Sequence, residues 1–237
     1  MAMRILRVSV AMAAYNGEKY IEQQIDSILS QLGDNDELVI SVNAGTDRTW
    51  DIVTGYAEND SRVKPYICEK RGVIKNFENA ISLCTGDIVF LSDQDDIWAP
   101  GKVETVCGYF EKDPKLSGIV HGHINIDAKG EKIAEQPKKR KSYRIRTFNI
   151  FWVNPVQGSC LAFRREIADK FLPMPDYIPM HDRYIGSSLC KRGKLLYIPD
   201  EFLLYRWHED AVNPRHHNPI PVMIKERWNL LRSLRHV

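Results

Sequence analysis

Apolar runs and helix-period apolar stripes alternate along the first half of the chain. The run at residues 8–14 is followed by a polar turn and then by apolar residues every three or four positions, which predicts a strand, a turn and a helix. The stripe of that helix consists of Ile21, Ile25, Ile28, Leu29 and Leu32. The same order recurs at residues 38–42 and 49–56, 63–68 and 73–84, and 88–92 and 103–110. Such alternation predicts an α/β fold with a mostly parallel, doubly wound sheet and helices on both faces.

The fourth predicted strand ends in an acidic motif. Asp93, Asp95 and Asp96 directly follow the apolar run at residues 88–91. Oxygen ligands of this kind suit hard divalent cations such as Mn²⁺ or Mg²⁺, which commonly share their coordination with substrate phosphates. The alternative is a solvated acidic turn that caps the next helix, although three acids in four residues repel one another unless a cation offsets them.

Other chemically useful side chains also lie at the ends of predicted strands. Tyr15 follows the first strand, Asn43 ends the second and Asp93 follows the fourth. In open α/β sheets, ligands bind in the crevice beyond the carboxyl ends of the strands. We therefore expect these three residues to converge on one crevice.

Four motifs give the first half of the chain a resemblance to a known family. They are AYNGEKYI at residues 14–21, GTDRT at residues 45–49, Gly72 with Asn76-Phe77, and Gly86-Asp87 leading into LSDQDDIW at residues 91–98. Their order and spacing resemble those of family 2 glycosyltransferases of the GT-A fold, of the bacterial polysaccharide-assembly type. The resemblance is strong over residues 6–110 and continues more weakly to about residue 213. It implies a nucleotide-diphosphate sugar donor and a divalent metal.

The resemblance also implies roles for single residues. Asp95 corresponds to the metal ligand, Asp93 lies nearer the ribose or the metal, and Asp96 supports them, as do Trp98 and His181. The implied donor-binding residues are Ala14, Tyr15, Asn16, Glu18, Asn43, Lys75, Asp93, Gln94 and Arg206.

Two motifs in the second half resemble the catalytic and closing motifs of the family. Asp182, in PMHDRY at residues 179–184, corresponds to the general base of inverting members. The alternative is a helix N-cap, which stabilises by only ~1 kcal/mol. His208, in YRWH at residues 205–208 with Asn213, is implied to bind the metal or the diphosphate, and Arg206 to pair with phosphate. A structural residue at a strand edge is the alternative for His208.

The chain departs from the family after its second strand. Family members usually have two aspartates there, whereas this chain has Val42-Asn43. An amide offers both donors and an acceptor, so we expect Asn43 to pair with a pyrimidine base less selectively than an aspartate would. UDP or dTDP donors are favoured over CDP or GDP donors.

Composition limits the remaining alternatives. A formal charge of +2 argues against nucleic acid as a partner, because no continuous basic face is implied. Five widely spaced cysteines favour reduced thiols in a cytosol.

The start of the chain resembles a signal peptide, but Ser9 interrupts its apolar run and cleavage would remove the first strand. No segment approaches the ~20 apolar residues of a membrane-spanning helix. His121, His123, His216 and His217 lack zinc-site neighbours and are interpreted as structural.

Two basic segments suggest contact with a lipid or a membrane. Residues 138–141 are Lys-Lys-Arg-Lys and are followed by Arg144 and Arg146, which is typical of a loop that meets an acceptor diphosphate or of a solvated loop. At the end of the chain, Ile224, Trp228, Leu231 and Leu234 follow helical spacing among basic residues. Such a helix either lies on an anionic bilayer or docks on the domain.

These patterns predict three segments and one function. Residues 1–112 form a nucleotide-sugar-binding half, residues 113–218 an acceptor-binding and catalytic half, and residues 219–237 a basic amphipathic helix. The predicted protein is a cytoplasmic or peripheral glycosyltransferase that adds a hexosyl or deoxyhexosyl group to a glycan or lipid-linked acceptor. The competing predictions are a weakly active sugar-nucleotide-binding subunit, motivated by Val42-Asn43, and a metal-dependent phosphohydrolase.

Overall fold

The computed structural model describes residues 5–138, 140–208 and 219–236. Its helices are α1 (Ile21–Leu29), α2 (Thr49–Asn59), α3 (Val73–Leu83), α4 (Lys102–Lys112), α5 (Thr147–Val153), α6 (His181–Arg192) and α7 (Ile220–Ser233). Its strands are β1 (Val8–Ala14), β2 (Glu37–Asn43), β3 (Val63–Cys68), β4 (Ile88–Asp93), β5 (Ile97–Trp98), β6 (Leu116–Ile126), β7 (Tyr143–Ile145), β8 (Leu161–Arg164) and β9 (Lys194–Arg206). Lys139, Asn213, His216 and His217 lie outside the described residues.

Within the described residues, one sheet of nine strands runs through both halves of the chain. Its order is β3-β2-β1-β4-β8-β6-β9-β5, and β7 pairs with β9. Strands β1 to β4 are mutually parallel, whereas β8 lies antiparallel between β4 and β6. Strand β9 is parallel to β6 and antiparallel to β5 and β7. The predicted mostly parallel α/β sheet is therefore confirmed.

The buried parallel strands explain the apolar runs of the sequence. Strands β1 and β4 are almost wholly buried, because a parallel sheet is covered by helices on both faces. Helix α3 packs on β1 and β2 and buries Phe77, Ala80 and Ile81. In the sheet register, Ala14 lies beside Val42 and Ala13 beside Asp93, so the carboxyl ends of β1, β2 and β4 are level. Level strand ends place the residues that follow them around one crevice.

Helix α1 is shorter than its apolar stripe predicts. It ends at Leu29, where the hydroxyl groups of Ser27 and Ser30 bond to backbone carbonyls of the helix. Hydroxyl groups of this kind compete with regular helix hydrogen bonding. Leu32 lies beyond the helix but is still buried, so the apolar spacing identified a core position rather than a helical one.

The C-terminal segment docks on the domain, but of the predicted stripe only Leu234 takes part. Helix α7 contacts α6, and Leu230 and Leu234 are buried there. Ile224, Trp228 and Leu231 point to solvent. Of the described helices, none combines the length and the apolar character that a bilayer crossing needs.

Candidate active site

A cavity of about 810 Å³ lies beyond the carboxyl ends of the parallel strands. Its walls come from the ends of β1, β2 and β4, from the first turn of α6 and from the end of β9. Eleven of the residues predicted from the sequence line it, namely Ala14, Tyr15, Asn16, Asn43, Asp93, Gln94, Asp95, His181, Asp182, Arg206 and His208. The strand ends and the two C-terminal motifs therefore meet around one space.

The loop after β1 is held by side chains from two other segments. The Gln94 side chain accepts a hydrogen bond from the Tyr15 N–H and donates one to the Tyr15 carbonyl, both at 2.8 Å. The Gly17 N–H donates to Thr49 Oγ1 at 2.7 Å. Asn16 adopts a positive φ of 47° and accepts a bond from the Thr46 N–H. These bonds fix the backbone beneath the Tyr15 ring, which is half exposed in the cavity wall.

The acidic motif lies in an environment that disfavours negative charge. Burial, followed by the charge of Asp95, raises the pKa of Asp93 to about 7. Burial and the charges of Asp95 and Asp93 raise the pKa of Asp96 well above its usual value. Because desolvation and like charges both penalise the ionised forms, this end of the cavity would favour a divalent cation.

A buried lysine lies beside the acidic motif and was missed by the sequence analysis. Lys102 is 1% exposed, and its ammonium group is 3.7 Å from the centre of the Trp98 ring. Its Nζ donates to the Ser159 carbonyl at 3.0 Å. Burial lowers the pKa of Lys102 to about 7, and the charges of Asp96 and Asp93 oppose this effect. The only signal in the sequence was a lysine at the start of the helix that follows the acidic motif.

The residues present fit a divalent cation that takes some of its ligands from the protein and the others from a substrate. Asp95 Oδ2 and His208 Nε2 are 2.9 Å apart, and Asp93 lines the same cavity. Across the residues that the structure describes, no three His, Cys, Asp or Glu side chains form a metal-holding group. Mg²⁺ is commonly bound by one or two carboxylates together with substrate phosphates and waters. Two or three protein ligands are therefore enough for an ion of that kind.

Asp182 lies in the first turn of α6 and lines the same cavity as the predicted metal ligands. The helix begins after Met180, so Asp182 is not the N-cap and the capping alternative is wrong. Its Oδ2 accepts a hydrogen bond from the Asn154 amide at 3.3 Å. Burial raises the pKa of Asp182 to about 6, and the hydrogen bonds to its carboxylate only partly offset this effect. A carboxylate with this pKa is an effective proton acceptor near neutral pH.

His181 and Trp98 have packing roles. The His181 ring stacks on Phe77 with 4.1 Å between ring centres, and burial lowers its pKa to about 3. His181 is therefore neutral at physiological pH. Trp98 is buried under the Lys102 ammonium group. His181 lines the cavity, whereas Trp98 lies outside the cavity lining.

Arg206 hydrogen-bonds to the acidic motif and to neighbouring segments. Its guanidinium group donates to the carbonyls of Asp95, Asp127 and Ala128 and to the Gln23 side chain. Those contacts occupy four of its five N–H groups. One N–H group is left for the predicted pairing of Arg206 with phosphate oxygens, and the residue lines the cavity.

Asn43 does not fit the role of a base-reading residue. Its amide nitrogen donates to the carbonyls of Cys68 and Lys70, at 2.9 and 3.0 Å, and its Oδ1 accepts from the Gly72 N–H. Both N–H groups of the amide are therefore occupied by the loop after β3. Asn43 shapes the cavity by holding this loop.

This geometry predicts the effect of changing Asn43. An Asn43→Asp variant would place a carboxylate against two carbonyl oxygens, which lose their donors. We expect the free energy of unfolding at pH 7 to fall by ~1–3 kcal/mol, the cost of leaving buried polar groups unsatisfied. Urea denaturation of both proteins measures this difference. An unchanged or raised stability, together with tighter binding of uridine diphosphate, would restore the base-reading role.

Two predicted donor residues lie outside the cavity lining. The Lys75 ammonium group is 2.7 Å from Asp176 and 3.2 Å from Glu78. The Glu18 carboxylate accepts a hydrogen bond from the Arg48 N–H. Both side chains hold neighbouring loops together, so their assignment to donor binding is not supported by the geometry.

The family follows from comparison with known proteins. The family model described as Glycosyl transferase family 2 matches residues 9–172, more than half of the chain. This chain belongs to glycosyl transferase family 2. The family predicted from the sequence motifs is thereby confirmed.

Relatives from bacteria agree with this membership. The chain is 30% identical over 206 residues to the O-antigen biosynthesis glycosyltransferase WbnJ of Escherichia coli, and the alignment covers 80% of each protein. It is 29% identical over 215 residues to a glycosyltransferase of Nostoc sp., covering 86% of this chain and 65% of that protein. The chain thus spans just under two thirds of the length of the Nostoc relative.

Solved structures of glycosyltransferases share the fold. TarS of S. aureus in complex with UDP-GlcNAc matches with a TM-score of 0.77 at 16% identity, over 96% of this chain and 66% of that chain. The mannosyltransferase PcManGT of Pyrobaculum calidifontis, in complex with GDP-Man and Mn²⁺, matches with a TM-score of 0.65 at 19% identity, over 99% and 74%. The GT-A fold predicted for this family 2 chain is confirmed.

A second cavity of about 630 Å³ adjoins the first in this family 2 domain. Its lining includes His123 from β6, Tyr197 from β9, and Asp200 with Glu201. Gln157 lines both cavities, and Asn154, the hydrogen-bond partner of Asp182, lines the second. The sequence gives no signal for this cavity, because its walls come from segments with no shared motif.

Proposed function

We propose that this chain is the catalytic part of a glycosyltransferase that transfers a sugar, with inversion, from a nucleotide-diphosphate donor to a glycan or lipid-linked acceptor in cell-surface polysaccharide synthesis. One observation carries the proposal. A single cavity is lined both by an acidic motif that favours a divalent cation and by a carboxylate with a raised pKa, Asp182, whose charge also raises the pKa of Asp93. Transfer from a nucleotide sugar needs both a stabilised leaving group and a proton acceptor.

The donor binds at the strand ends. The exposed ring of Tyr15 stacks on the nucleotide base, and Asp93 lies near the ribose or the metal. Asp95 and His208 would hold Mn²⁺ or Mg²⁺. When bound, such an ion offsets the negative charge that develops on the departing diphosphate. Uridine and thymidine diphosphates remain the favoured leaving groups.

Asp182 acts as the general base. As the acceptor hydroxyl oxygen forms its bond to the anomeric carbon, the bond from that carbon to the diphosphate oxygen breaks, and Asp182 takes the hydroxyl proton. Attack from the face opposite the diphosphate inverts the configuration at the anomeric carbon. Asn154 orients the carboxylate through its hydrogen bond to Oδ2.

The acceptor enters through the second cavity. Asp200 and Glu201 offer hydrogen-bond acceptors for sugar hydroxyl groups, and Tyr197 offers an aromatic face. Lys138 and Arg140 lie exposed at the rim, where they favour an acceptor that carries a phosphate. Gln157 lines both cavities and therefore lies between the acceptor site and the donor site.

The decisive experiment measures release of nucleoside diphosphate. Nucleotide-sugars of uridine, thymidine, guanosine and cytidine are first screened by thermal shift with Mn²⁺, since a specific ligand stabilises the folded protein in proportion to its occupancy. The best donor is then incubated with sugars linked to lipid diphosphates. Release that requires the acceptor supports a transferase. Equal release with water alone would favour a phosphohydrolase, and binding without release would favour a non-catalytic subunit.

A variant of Tyr15 tests the donor-binding face. Stacking of a base on an aromatic ring contributes ~1–3 kcal/mol, so Tyr15→Ala should weaken binding of uridine diphosphate about tenfold. Calorimetric titration with Mn²⁺ present measures the change. Tyr66→Ala is the matched control, because Tyr66 is an exposed tyrosine on β3 that does not line the cavity. Equal affinities of the two variants would remove Tyr15 from the base site.

A further inference from the structure

Two helices of the second half present apolar side chains to solvent. In α7, Trp228 is 62% exposed and Ile224 is 61% exposed. In α5, Trp152 is 56% exposed. We call the whole set the two-helix apolar surface, and it consists of Phe148, Trp152, Val153, Ile220, Ile224, Trp228 and Leu231.

The two helices form one continuous surface. Arg227 of α7 donates from Nε to the Phe151 carbonyl of α5 at 3.1 Å, and its guanidinium group lies 5.5 Å from the centre of the Trp152 ring. Both helices also pack on α6. At 100° per residue, the four α7 residues of the surface fall within an arc of about 80°, while Leu230 is buried toward α6. The exposed stripe is thus separate from the face that docks on the domain.

The segments that carry this surface are strongly basic. Residues 136–153 contain six basic residues and no acidic one, and residues 219–237 contain four basic residues and one acidic one, Glu226. Glu226 faces Arg183 at 3.6 Å. The two segments together carry a formal charge of +9 in a chain whose total is +2. Positive charge is therefore concentrated in the two segments that carry the apolar surface, and the rest of the chain is acidic.

The surface also lies next to the proposed base. Val153 is exposed at the end of α5, and the following residue, Asn154, bonds to Asp182. An acceptor sugar at Asp182 is therefore only a short distance from the apolar surface.

We propose that the two-helix apolar surface docks on an anionic bilayer and brings the acceptor's lipid anchor to the Asp182 end of the site. Tryptophan is enriched at membrane interfaces, and a helix with an apolar stripe flanked by basic residues lies in the interfacial plane. A second copy of this chain is disfavoured as the occupant, because its surface would bring the same positive charge into contact. The role of the lipid anchor rests on the proposed function, whereas bilayer docking does not.

The test is cosedimentation with vesicles in the absence of donor and metal. One set contains three parts phosphatidylcholine to one part anionic phosphatidylglycerol, and the other contains phosphatidylcholine only. The unchanged protein should bind the anionic vesicles, and binding should weaken as salt is raised. Ile224→Glu should lower the partition coefficient ~10-fold or more. Ile67→Glu is the matched control, since Ile67 is equally exposed, at 61%, but lies on β3 at the far edge of the sheet.

Three outcomes would overturn the proposal. They are no binding of the unchanged protein to anionic vesicles, equal loss in both variants, or a dimer in solution that Ile224→Glu converts to a monomer. Melting temperatures of both variants distinguish loss of binding from loss of fold. A second variant, Trp152→Glu, tests α5 independently of α7. Because donor and metal are absent, failure here leaves the release of nucleoside diphosphate as a separate test of the transferase proposal.

Discussion

Replacing Asp182 by asparagine should lower kcat by ~10²-fold or more while leaving donor affinity unchanged, as expected for loss of a general base. Asparagine has nearly the same shape but cannot take the acceptor proton. Asp182 has the position and the raised pKa that a base requires, and its Oδ2 already has an orienting partner in Asn154. Turnover is measured as release of nucleoside diphosphate, and donor affinity by calorimetry.

The pH dependence gives an independent readout of the same residue. The base acts in its ionised form, and burial raises the pKa of Asp182 to about 6. Accordingly, kcat/KM of the unchanged enzyme should have a limb that falls tenfold per pH unit below about pH 6, in addition to any fall from protonation of Asp93 near pH 7. In Asp182→Asn this limb should disappear. Asp169→Asn is the control, because Asp169 is an exposed carboxylate that pairs with Arg165 outside both cavities. Near-normal turnover in Asp182→Asn would require another base.

Replacing Asp95 by asparagine should lower metal-dependent donor affinity by ~10–100-fold, the loss expected when the ligand sphere of a metal is disturbed. Asp95 offers its Oδ2 to the cavity and contacts His208 there. Its charge also raises the pKa values of Asp93 and Asp96, so its removal relieves repulsion in the buried cluster. The melting temperature should therefore stay the same or rise.

Titration of the nucleotide with and without Mn²⁺ separates the affinity that depends on the ion from the affinity that remains without it. The variant should lose the Mn²⁺-dependent increment and keep the Mn²⁺-independent binding. Asp51→Asn removes a charge from the exposed first turn of α2 and should change neither. If Asp95→Asn retained the full Mn²⁺ increment, the ion would have to be assigned to Asp93 and its neighbours.

The first half of the fold was predictable because its central strands β1, β2 and β4 are buried on both faces. Runs such as Ile88-Val89-Phe90-Leu91 are apolar at every position, and each is followed by a helical stripe. The second half lacked this signal. Strands β5 and β7 have two and three residues, too few to show any period. The antiparallel insertion of β8 between β4 and β6 depends on pairing between distant segments, which a local pattern does not record.

Some features of the candidate site were also predictable from the sequence, and others were not. Sheet topology alone brings Tyr15, Asp93 and Asp95 to one edge, so their convergence was predictable. The hydrogen-bonding of Asn43, Gln94 and Arg206 was not, because their partners lie 25 to 183 residues away in sequence. The burial of Lys102 was not predictable either, because the segments that cover its ammonium group are distant in sequence.

The long strand β9 determines when the acidic motif can be completed during synthesis. Arg206 bonds to Asp95 and Asp96 across 111 and 110 residues, and β5 reaches the sheet only by pairing with β9. Contacts of such separation carry a loop-closure cost that is met late in folding. A nascent chain that has emerged only as far as α6 therefore holds its four parallel strands but leaves the acidic motif without its arginine and histidine partners. We therefore expect metal-dependent donor binding to appear only once β9 has emerged and paired with β5 and β6.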